Sequence, residues 1–199
     1  MKSQKGRLII LEGIDGTGKS TQAKSLAKKL RQIGYKVILT KEPNNLSLKK
    51  LIANNPEPLT DLFLFLADRS LHYQKIKQWL RNGCVVISDR SFPSTWCYQY
   101  YPYLREKIKE NLMLSLDRLS RDQLEPDFVI ILDAPVAILN NRIKFKDKFE
   151  KLNFLKIVQR AYRYYAKKFE WKIFETDSSV QSVNKKIVDA VIKIPRDRT

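Results

Sequence analysis

The sequence has few residues that could make cross-links or bind transition metals: two cysteines, Cys84 and Cys97, and one histidine, His72, among 199 residues. Two thiols make no disulfide framework, and without a cluster of cysteine and histidine no zinc site is expected. The first seven residues also lack the apolar core and cleavage site of a signal peptide. We therefore expect a cytoplasmic protein.

Long apolar runs are absent as well. No segment approaches the roughly 20 apolar residues that cross a bilayer, so we expect no membrane partner. The formal net charge is +17, from 38 Lys and Arg against 21 Asp and Glu. This charge indicates affinity for anions, but it does not distinguish nucleic acid from nucleotide phosphates. Because the basic residues are scattered along the whole chain, a solvated lysine-rich surface explains them best.

Short apolar segments alternate with segments of helical periodicity. Five of them are apolar throughout, as strands buried on both faces are: residues 7–11, 36–40, 85–88, 128–132 and 171–175. Helical patterns cover residues 20–33, 59–80, about 94–119, 136–143, 154–169 and 180–194, with a possible break near His72. This order predicts an α/β fold in three layers, with a five-stranded parallel sheet flanked by helices, in one domain over residues 1–199.

A complete phosphate-binding motif, G-x-x-x-x-G-K-[ST], covers residues 13–20, after the first predicted strand and before the first predicted helix. Its glycines let backbone N–H groups approach phosphate oxygens, and the helix start adds positive charge. Lys19 would contact the β- and γ-phosphates, and Ser20 would bind Mg²⁺. The motif makes the fold one of the P-loop NTP hydrolase type. We predict ATP and Mg²⁺ as cofactors, with the nucleotide on Gly13, Ile14, Asp15, Gly16, Thr17, Gly18, Lys19, Ser20 and Thr21.

The third predicted strand leads into Asp89 and Arg90. Asp89 is the second predicted metal ligand. Arg90 stands where many ATPases carry a water-activating carboxylate, and the guanine-reading motif N-K-x-D is missing. These features favour phosphoryl transfer to a bound acceptor that is already anionic, because such an acceptor needs positioning and charge neutralisation rather than a base.

Further segments make the chain resemble thymidylate kinases over nearly its whole length. The motif region EGIDGTGKSTQ (12–22) has that family's acidic residue inside the loop, and DRSFPSTWCYQ (89–99) resembles its D-R-x-x-x-S-x-x-A-Y-Q signature. The segments PDFVIILD (126–133), VQRAY (158–162) and DSS (177–179) are also similar to the family. The resemblance implies that the chain phosphorylates dTMP to dTDP with ATP and Mg²⁺, and that it forms a homodimer.

The resemblance also implies residues that bind the acceptor base and sugar. Phe65 would stack on thymine, and Arg69, four residues later on the same helix face, would donate to a base oxygen. Tyr98 would lie under the sugar and favour deoxyribose. The residues placed around the base are Ser94, Thr95 and Gln99.

The catalytic residues implied by the resemblance are Lys19, Arg90, Asp15 and Arg142. Arg90 would grip the acceptor phosphate, and Asp15 would face the acceptor sugar or the metal. Arg142 would belong to a lid over about residues 142–152, which is rich in lysine here. The family's R-E-P-G-G reads Lys41-Glu-Pro-Asn-Asn in this chain, so Lys41 would contact the acceptor phosphate without the guanidinium fork.

Two alternatives remain open on the sequence. A related nucleoside-monophosphate kinase, or a nucleoside kinase, would take a different acceptor, and Glu42 stands where a nucleoside kinase would need a base. A P-loop ATPase that binds nucleic acid would fit the net charge and the basic, aromatic stretch over residues 160–165. Because the sequence offers this ATPase no water-activating residue, we do not expect nucleic acid as a partner.

Overall fold

A computed structural model describes residues 6–54, 57–135, 138–139 and 152–194. Arg142 and residues 142–151 of the predicted lid lie outside the described residues. The strands are β1 (Arg7–Glu12), β2 (Val37–Lys41), β3 (Val85–Asp89), β4 (Phe128–Asp133) and β5 (Lys172–Glu175). They form one parallel sheet in the order β2-β3-β1-β4-β5. The predicted five-stranded parallel sheet is therefore confirmed.

The sheet is covered on both faces, which explains why the middle of its central strand, residues 8–11, is apolar throughout. All six residues of β1 are buried. Leu8 and Ile10 belong to one apolar core, and Ile9 and Leu11 belong to the core on the opposite face. Alternate side chains of a strand point to opposite faces, so the part of a strand that lies between two helical layers is apolar at consecutive positions.

Seven α-helices accompany the sheet among the described residues: α1 (Lys19–Gln32), α2 (Leu46–Asn54), α3 (Pro58–Arg81), α4 (Phe92–Thr95), α5 (Glu110–Ser120), α6 (Leu152–Lys168) and α7 (Val180–Ile192). Two of them differ from expectation. α2 was not predicted, and α3 continues through His72 without a break. His72 is buried, with Nε2 2.8 Å from Thr40 Oγ1 and Nδ1 3.2 Å from Glu42 Oε1, so its polar ring atoms are satisfied inside the helix layer.

α4 continues directly into a π-helix, Trp96–Leu104. At its end the Arg105 N–H donates to the Tyr100 carbonyl five residues back, at 3.0 Å. A π-helix has a wider turn than an α-helix and is frequent at functional sites. Both i+4 and i+5 neighbours can therefore lie near one face of this segment.

Candidate active site

The phosphate-binding motif forms the loop between β1 and α1, and its shape requires glycine. Gly13 has φ 135°, and a Cβ atom there would lie 2.3 Å from the Leu132 carbonyl oxygen. Gly16 and Gly18 have φ values of 81° and 90°. Left-handed backbone of this kind is costly for residues with a side chain, so the motif glycines are needed for the conformation of the loop.

Lys19, the first residue of α1, is buried beneath this loop. Its Nζ donates to the Ile14 carbonyl at 2.9 Å and lies 3.4 Å from Asp15 Oδ1. Burial, together with the positive charge of Arg90, lowers the pKa of Lys19 to about 8. A buried ammonium group beside a curved backbone loop is suited to bind an anionic phosphate. The bound phosphate would in turn favour the charged form of Lys19.

Ser20 and Asp89 place a hydroxyl oxygen and a carboxylate oxygen, both possible metal ligands, next to each other. The Ser20 hydroxyl donates to Asp89 Oδ2 at 2.5 Å, which joins the first turn of α1 to the end of β3. The described parts of the chain contain no group of three or more His, Cys, Asp or Glu side chains able to hold a metal ion. Mg²⁺ is commonly held by one or two carboxylates together with substrate phosphates and water, so this pair fits that ion.

Arg90 follows β3 in a left-handed conformation, with φ 72°. Its N–H donates to the Leu11 carbonyl at 2.9 Å, and its carbonyl accepts from the Ser88 hydroxyl at 2.7 Å. Such a backbone costs about 1–3 kcal/mol in a non-glycine residue and clusters at active sites. The surrounding bonds hold Arg90 in this conformation.

The side chain of Arg90 connects the loop to the π-helix region. Its Nη2 donates to Asp15 Oδ1, its Nη1 donates to Ser94 Oγ at 3.0 Å, and its guanidinium carbon lies 5.1 Å from the Tyr98 ring centroid. Burial lowers the pKa of Arg90, but Tyr98 and Asp15 outweigh it, so the pKa lies well above the usual value. Arg90 is thus a permanent positive charge.

Two cavities meet at Arg90. The P-loop cavity is lined by Lys19, Ser20, Thr21, Lys41 and Asp89, among others. The helix cavity has a volume of about 220 Å³ and is lined by parts of α2, α3 and the π-helix. Three residues, Asp15, Glu42 and Arg90, line both cavities. The two spaces are therefore contiguous.

Six of the residues predicted to bind the acceptor line the helix cavity: Phe65, Arg69, Arg90, Ser94, Tyr98 and Gln99. The wide turn of the π-helix explains how Tyr98 and Gln99, four and five residues after Ser94, reach the same space. Lys41 instead lines the P-loop cavity. Thr95 is buried outside the cavity lining, where its hydroxyl accepts a 2.9 Å hydrogen bond from Arg69 Nη2.

Glu42 is a functional candidate that sequence reasoning considered only as a possible base. Its Oε2 accepts from Arg69 Nε at 3.1 Å and from Nη2 at 3.0 Å. Its Oε1 faces His72 Nδ1 and the Ser91 hydroxyl, each at 3.2 Å. Burial raises the pKa of Glu42, but Arg69 and His72 lower it by more, so the net pKa is below its usual value. Glu42 therefore remains an anion that fixes Arg69.

Sequence reasoning missed the role of Glu12. Ser91 is the N-cap residue of α4, but its side chain makes no capping bond; the carboxylate of Glu12 serves instead, since its Oε1 accepts from the N–H groups of Ser91 at 2.6 Å and Ser94 at 3.2 Å. Its Oε2 accepts from Ser94 Oγ at 2.8 Å and from Tyr162 Oη at 2.7 Å. Glu12 thus fixes the start of the helix that carries the site residues.

α2 supplies cavity residues that were also missed, including Lys49, Ile52 and Ala53. A signal for this helix is present in the sequence. Asn45 Oδ1 accepts from the N–H groups of Ser47 and Leu48 at 2.9 and 3.2 Å, as an N-cap side chain does. An asparagine before apolar residues at helical spacing could have predicted the start of α2.

The basic, aromatic stretch over residues 160–165 lies on α6 and divides between the core and the surface. Tyr162 and Tyr165 are buried in the core. Arg163 Nε donates to Asp133 Oδ2 at 2.7 Å. Two of the three aromatic residues of this motif therefore pack in the core, whereas Tyr164 is half exposed.

Comparisons with known proteins agree with this site. A family model described as thymidylate kinase matches residues 11–187. A probable thymidylate kinase of Thermococcus gammatolerans is 39% identical over 94% of this chain and 96% of its own length. The chain belongs to the thymidylate kinase family. Its predicted classification as a phosphotransferase of this family is confirmed.

Other relatives give the same result. A thymidylate kinase of Prochlorococcus marinus is 34% identical over 94% of this chain and 93% of its own length. A crystal structure of thymidylate kinase from Ehrlichia chaffeensis superposes with a TM-score of 0.75 at 29% identity, covering 94% of this chain and 98% of that one. This agreement confirms the P-loop NTP hydrolase fold. Among the helices that the structure describes, none combines the length and apolar character needed to cross a membrane.

Proposed function

We propose that this member of the thymidylate kinase family transfers the γ-phosphoryl group of ATP to dTMP in the presence of Mg²⁺. The observation that carries the proposal is the contiguity of the two cavities at Arg90. A donor phosphate on the loop and an acceptor phosphate in the helix cavity would meet at this guanidinium. Holding two reactants in this way is the main requirement for phosphoryl transfer.

The donor side of the proposal rests on residues 13–21. Backbone N–H groups of the glycine-rich loop would hold the ATP phosphates, and Lys19 would neutralise the β- and γ-phosphates. Ser20 and Asp89 would hold Mg²⁺, which supplies neutralisation of phosphate charge when it is bound. The 2.5 Å contact between their oxygens supports this assignment, because both could face one ion.

The acceptor side rests on the helix cavity. Phe65 would stack on thymine, and Arg69 would donate to a base oxygen. Ser94 and Gln99 would complete the base site, and Tyr98 would lie under the deoxyribose. Thr95 would act through Arg69, since its hydroxyl accepts from that guanidinium.

The transfer step would depend on positive charge around the phosphates. Arg90 would bind the acceptor phosphate bidentately, with Lys41 adding a second charge from the end of β2. Asp15, which is bonded to Arg90, would orient that guanidinium or contact the acceptor sugar. Arg142 lies outside the described residues, and its proposed role over the phosphates rests on the family resemblance alone.

The buried environment of Glu42 argues against a nucleoside acceptor. A nucleoside hydroxyl must lose a proton, and the best-placed acid would be Glu42. Its carboxylate already accepts from Arg69, His72 and Ser91, and its pKa is lowered. Such a group is a weak base, whereas the phosphate of a monophosphate acceptor needs none.

A homodimer in the cytoplasm is the proposed state of the protein. The described surfaces of α3 and α5 expose several large apolar side chains: Leu59, Phe63, Leu71, Leu112 and Leu119. Exposed apolar surface of this kind supports an interface between copies. Light scattering should give a mass near twice 23.4 kDa. Cys84 and Cys97 are both free thiols, which supports a reducing compartment.

The deciding experiment is an ADP-release assay with ATP, Mg²⁺ and a panel of acceptors: dTMP, dUMP, dCMP, dGMP, dAMP, UMP and thymidine. We expect the highest kcat/KM with dTMP and a low value with UMP, because Tyr98 leaves little room for a 2′-hydroxyl. Preference for thymidine or for a purine monophosphate would contradict the proposed acceptor. ATP turnover that rises with DNA or RNA and ignores monophosphates would instead favour a nucleic-acid-dependent ATPase.

A further inference from the structure

The hydrogen bonds of the Arg69 guanidinium use two of its three nitrogen atoms. Its Nε and Nη2 donate to Glu42, and Nη2 also donates to Thr95. Nη1 is buried and has no hydrogen-bond partner in the part of the chain that the structure describes. This nitrogen is the free end of a residue that lines the helix cavity.

A carboxylate with a free oxygen faces this nitrogen. Asp117 on α5 is buried, and its Oδ1 has no hydrogen-bond partner among the described residues. Oδ1 lies 3.9 Å from Arg69 Nη1. That separation is within reach of an ion pair, but it is too long for a hydrogen bond. An unfilled donor and an unfilled acceptor of opposite charge thus face each other in the protein interior.

The other oxygen of Asp117 is already held. Oδ2 accepts from Arg121 Nη2 at 3.1 Å. Arg121 is fixed in turn by the Leu124 carbonyl at 2.6 Å and by Glu125 at 2.9 Å, and its guanidinium lies 4.2 Å from the centre of the Phe92 ring. Arg121 and Trp96 therefore both contact the Asp117 carboxylate, and Oδ1 is the oxygen that faces Arg69 Nη1.

Simple packing does not account for this arrangement. A buried polar atom without a partner is unfavourable, and two such atoms facing each other at 3.9 Å would gain by moving together. Burial raises the pKa of Asp117, because Arg121, Arg69 and a hydrogen bond from Trp96 offset the desolvation only in part. The contact therefore favours a small movement of Arg69 Nη1 towards α5.

We propose that Asp117 is a positioning residue for the acceptor base: it draws Nη1 of Arg69 into a fixed orientation, so that the second N–H of Nη1 is presented to the helix cavity. The inference rests on the proposed function, in which Arg69 donates to a base oxygen. Glu42 and Asp117 hold the guanidinium from opposite ends. Without Asp117 the guanidinium of Arg69 would still be charged and bonded to Glu42, but its Nη1 would not be held in one orientation.

The test compares Asp117→Asn with Asp122→Asn in the full chain. Asp122→Asn is the matched control: it is the same substitution five residues later, at an exposed position where the aspartate pairs with Lys77 and not with Arg69. We expect Asp117→Asn to raise the KM for dTMP about tenfold, which corresponds to about 1.4 kcal/mol, with kcat and the KM for ATP changed less than about twofold. Asp122→Asn should leave all three values near those of the wild type.

A competitor without a base separates positioning from general damage. 2-Deoxyribose 5-phosphate has the sugar and phosphate of dTMP but nothing for Arg69 to bind. Its inhibition constant should be the same in Asp117→Asn and the wild type. If this constant rises as much as the KM for dTMP, Asp117 supports the whole cavity and the positioning role is wrong.

A double variant keeps the proposal testable if Asp117→Asn alone does not fold. Asp117→Asn leaves Arg121 with one carboxylate fewer, so Asp117→Asn with Arg121→Met removes both charges of the pair. The raised KM for dTMP should persist in the double variant. A KM equal to that of the wild type in either folded variant would overturn the proposal, as would failure of both variants to fold, because Asp117 would then be structural. Absence of dTMP phosphorylation in the wild type would instead reject the proposed function.

Discussion

The Ser20 hydroxyl donates to the Asp89 carboxylate across 69 residues of sequence, joining α1 to the end of β3. If this pair holds Mg²⁺, Ser20→Ala removes one ligand oxygen and leaves the carboxylate. We expect the Mg²⁺ concentration for half-maximal activity to rise about tenfold. Titration of activity with MgCl₂ measures this. Ser25→Ala, on the same helix but outside both cavities, is the control, and an unchanged Mg²⁺ requirement in Ser20→Ala would contradict the metal assignment.

The lowered pKa of Lys19 predicts a pH dependence of ATP binding. Its value of about 8 means that the free enzyme loses this charge as the pH rises through that value. Bound phosphates favour the charged form, so ATP binding should take up protons just above pH 8 and weaken at higher pH. Calorimetry in buffers of different ionisation enthalpy measures the uptake.

Lys19→Arg provides the control for that measurement. Arginine stays charged throughout this range, so its ATP binding should show no proton uptake from this position. Equal proton uptake in both proteins would assign the titration to another group. The role of Lys19 in the pH dependence would then be wrong.

Lys41 offers a change that should improve the enzyme. It lies at the end of β2 beside the P-loop cavity, with a single ammonium group to offer a phosphate. Lys41→Arg adds a fork that can bind two phosphate oxygens, and we expect the KM for dTMP to fall about fivefold. Lys36→Arg, an exposed position just before β2, is the matched control. A KM for dTMP that does not fall would show that Lys41 makes no contact with the acceptor phosphate.

Glu12 predicts a change in stability with pH. Burial raises its pKa, and Arg90 and the bonds from Tyr162, Ser91 and Ser94 offset this only in part. Between the ordinary pKa and the raised one, the folded state binds more protons than the unfolded state, so stability falls as pH rises through this window. Gln at this position does not titrate, and its amide can keep the backbone cap while donating to the two hydroxyls.

The free energy of unfolding of Glu12→Gln, relative to that of the wild type, should therefore increase as the pH is raised from about 4.5. Urea unfolding at several pH values measures this difference. Glu175→Gln, at the exposed end of β5, removes a carboxylate that lacks these buried contacts and is the control. A constant difference between Glu12→Gln and the wild type would contradict the effect.

Features that depend on neighbouring residues could be predicted from the sequence. The loop over residues 13–20 is a local motif, and β1, β3 and β4 are largely apolar because they are buried on both faces. The family resemblance also identified cavity residues such as Phe65 and Tyr98, because they belong to contiguous motifs. These predictions needed no knowledge of long-range contacts.

Features that depend on distant partners could not be predicted in this way. Glu12 lies 79 residues from Ser91 and 150 from Tyr162, so its capping role has no local signature. The sequence left a possible break in α3 near His72, but the helix is continuous there, and the partners of the His72 ring lie on and after β2, far away in the sequence. The family resemblance placed Thr95 beside the base, whereas its hydroxyl accepts from Arg69 outside the cavity lining, a contact that the sequence does not reveal.

The π-helix Trp96–Leu104 has a consequence for comparing this chain with its relatives. A relative whose segment is wound as an α-helix would follow the same path with fewer residues, so a correct alignment would need a gap within a helix, where gaps are normally penalised. Loss of one residue here would also rotate Tyr98 and Gln99 relative to Ser94. The number of residues in this segment, and not only their identity, is therefore part of what shapes the cavity.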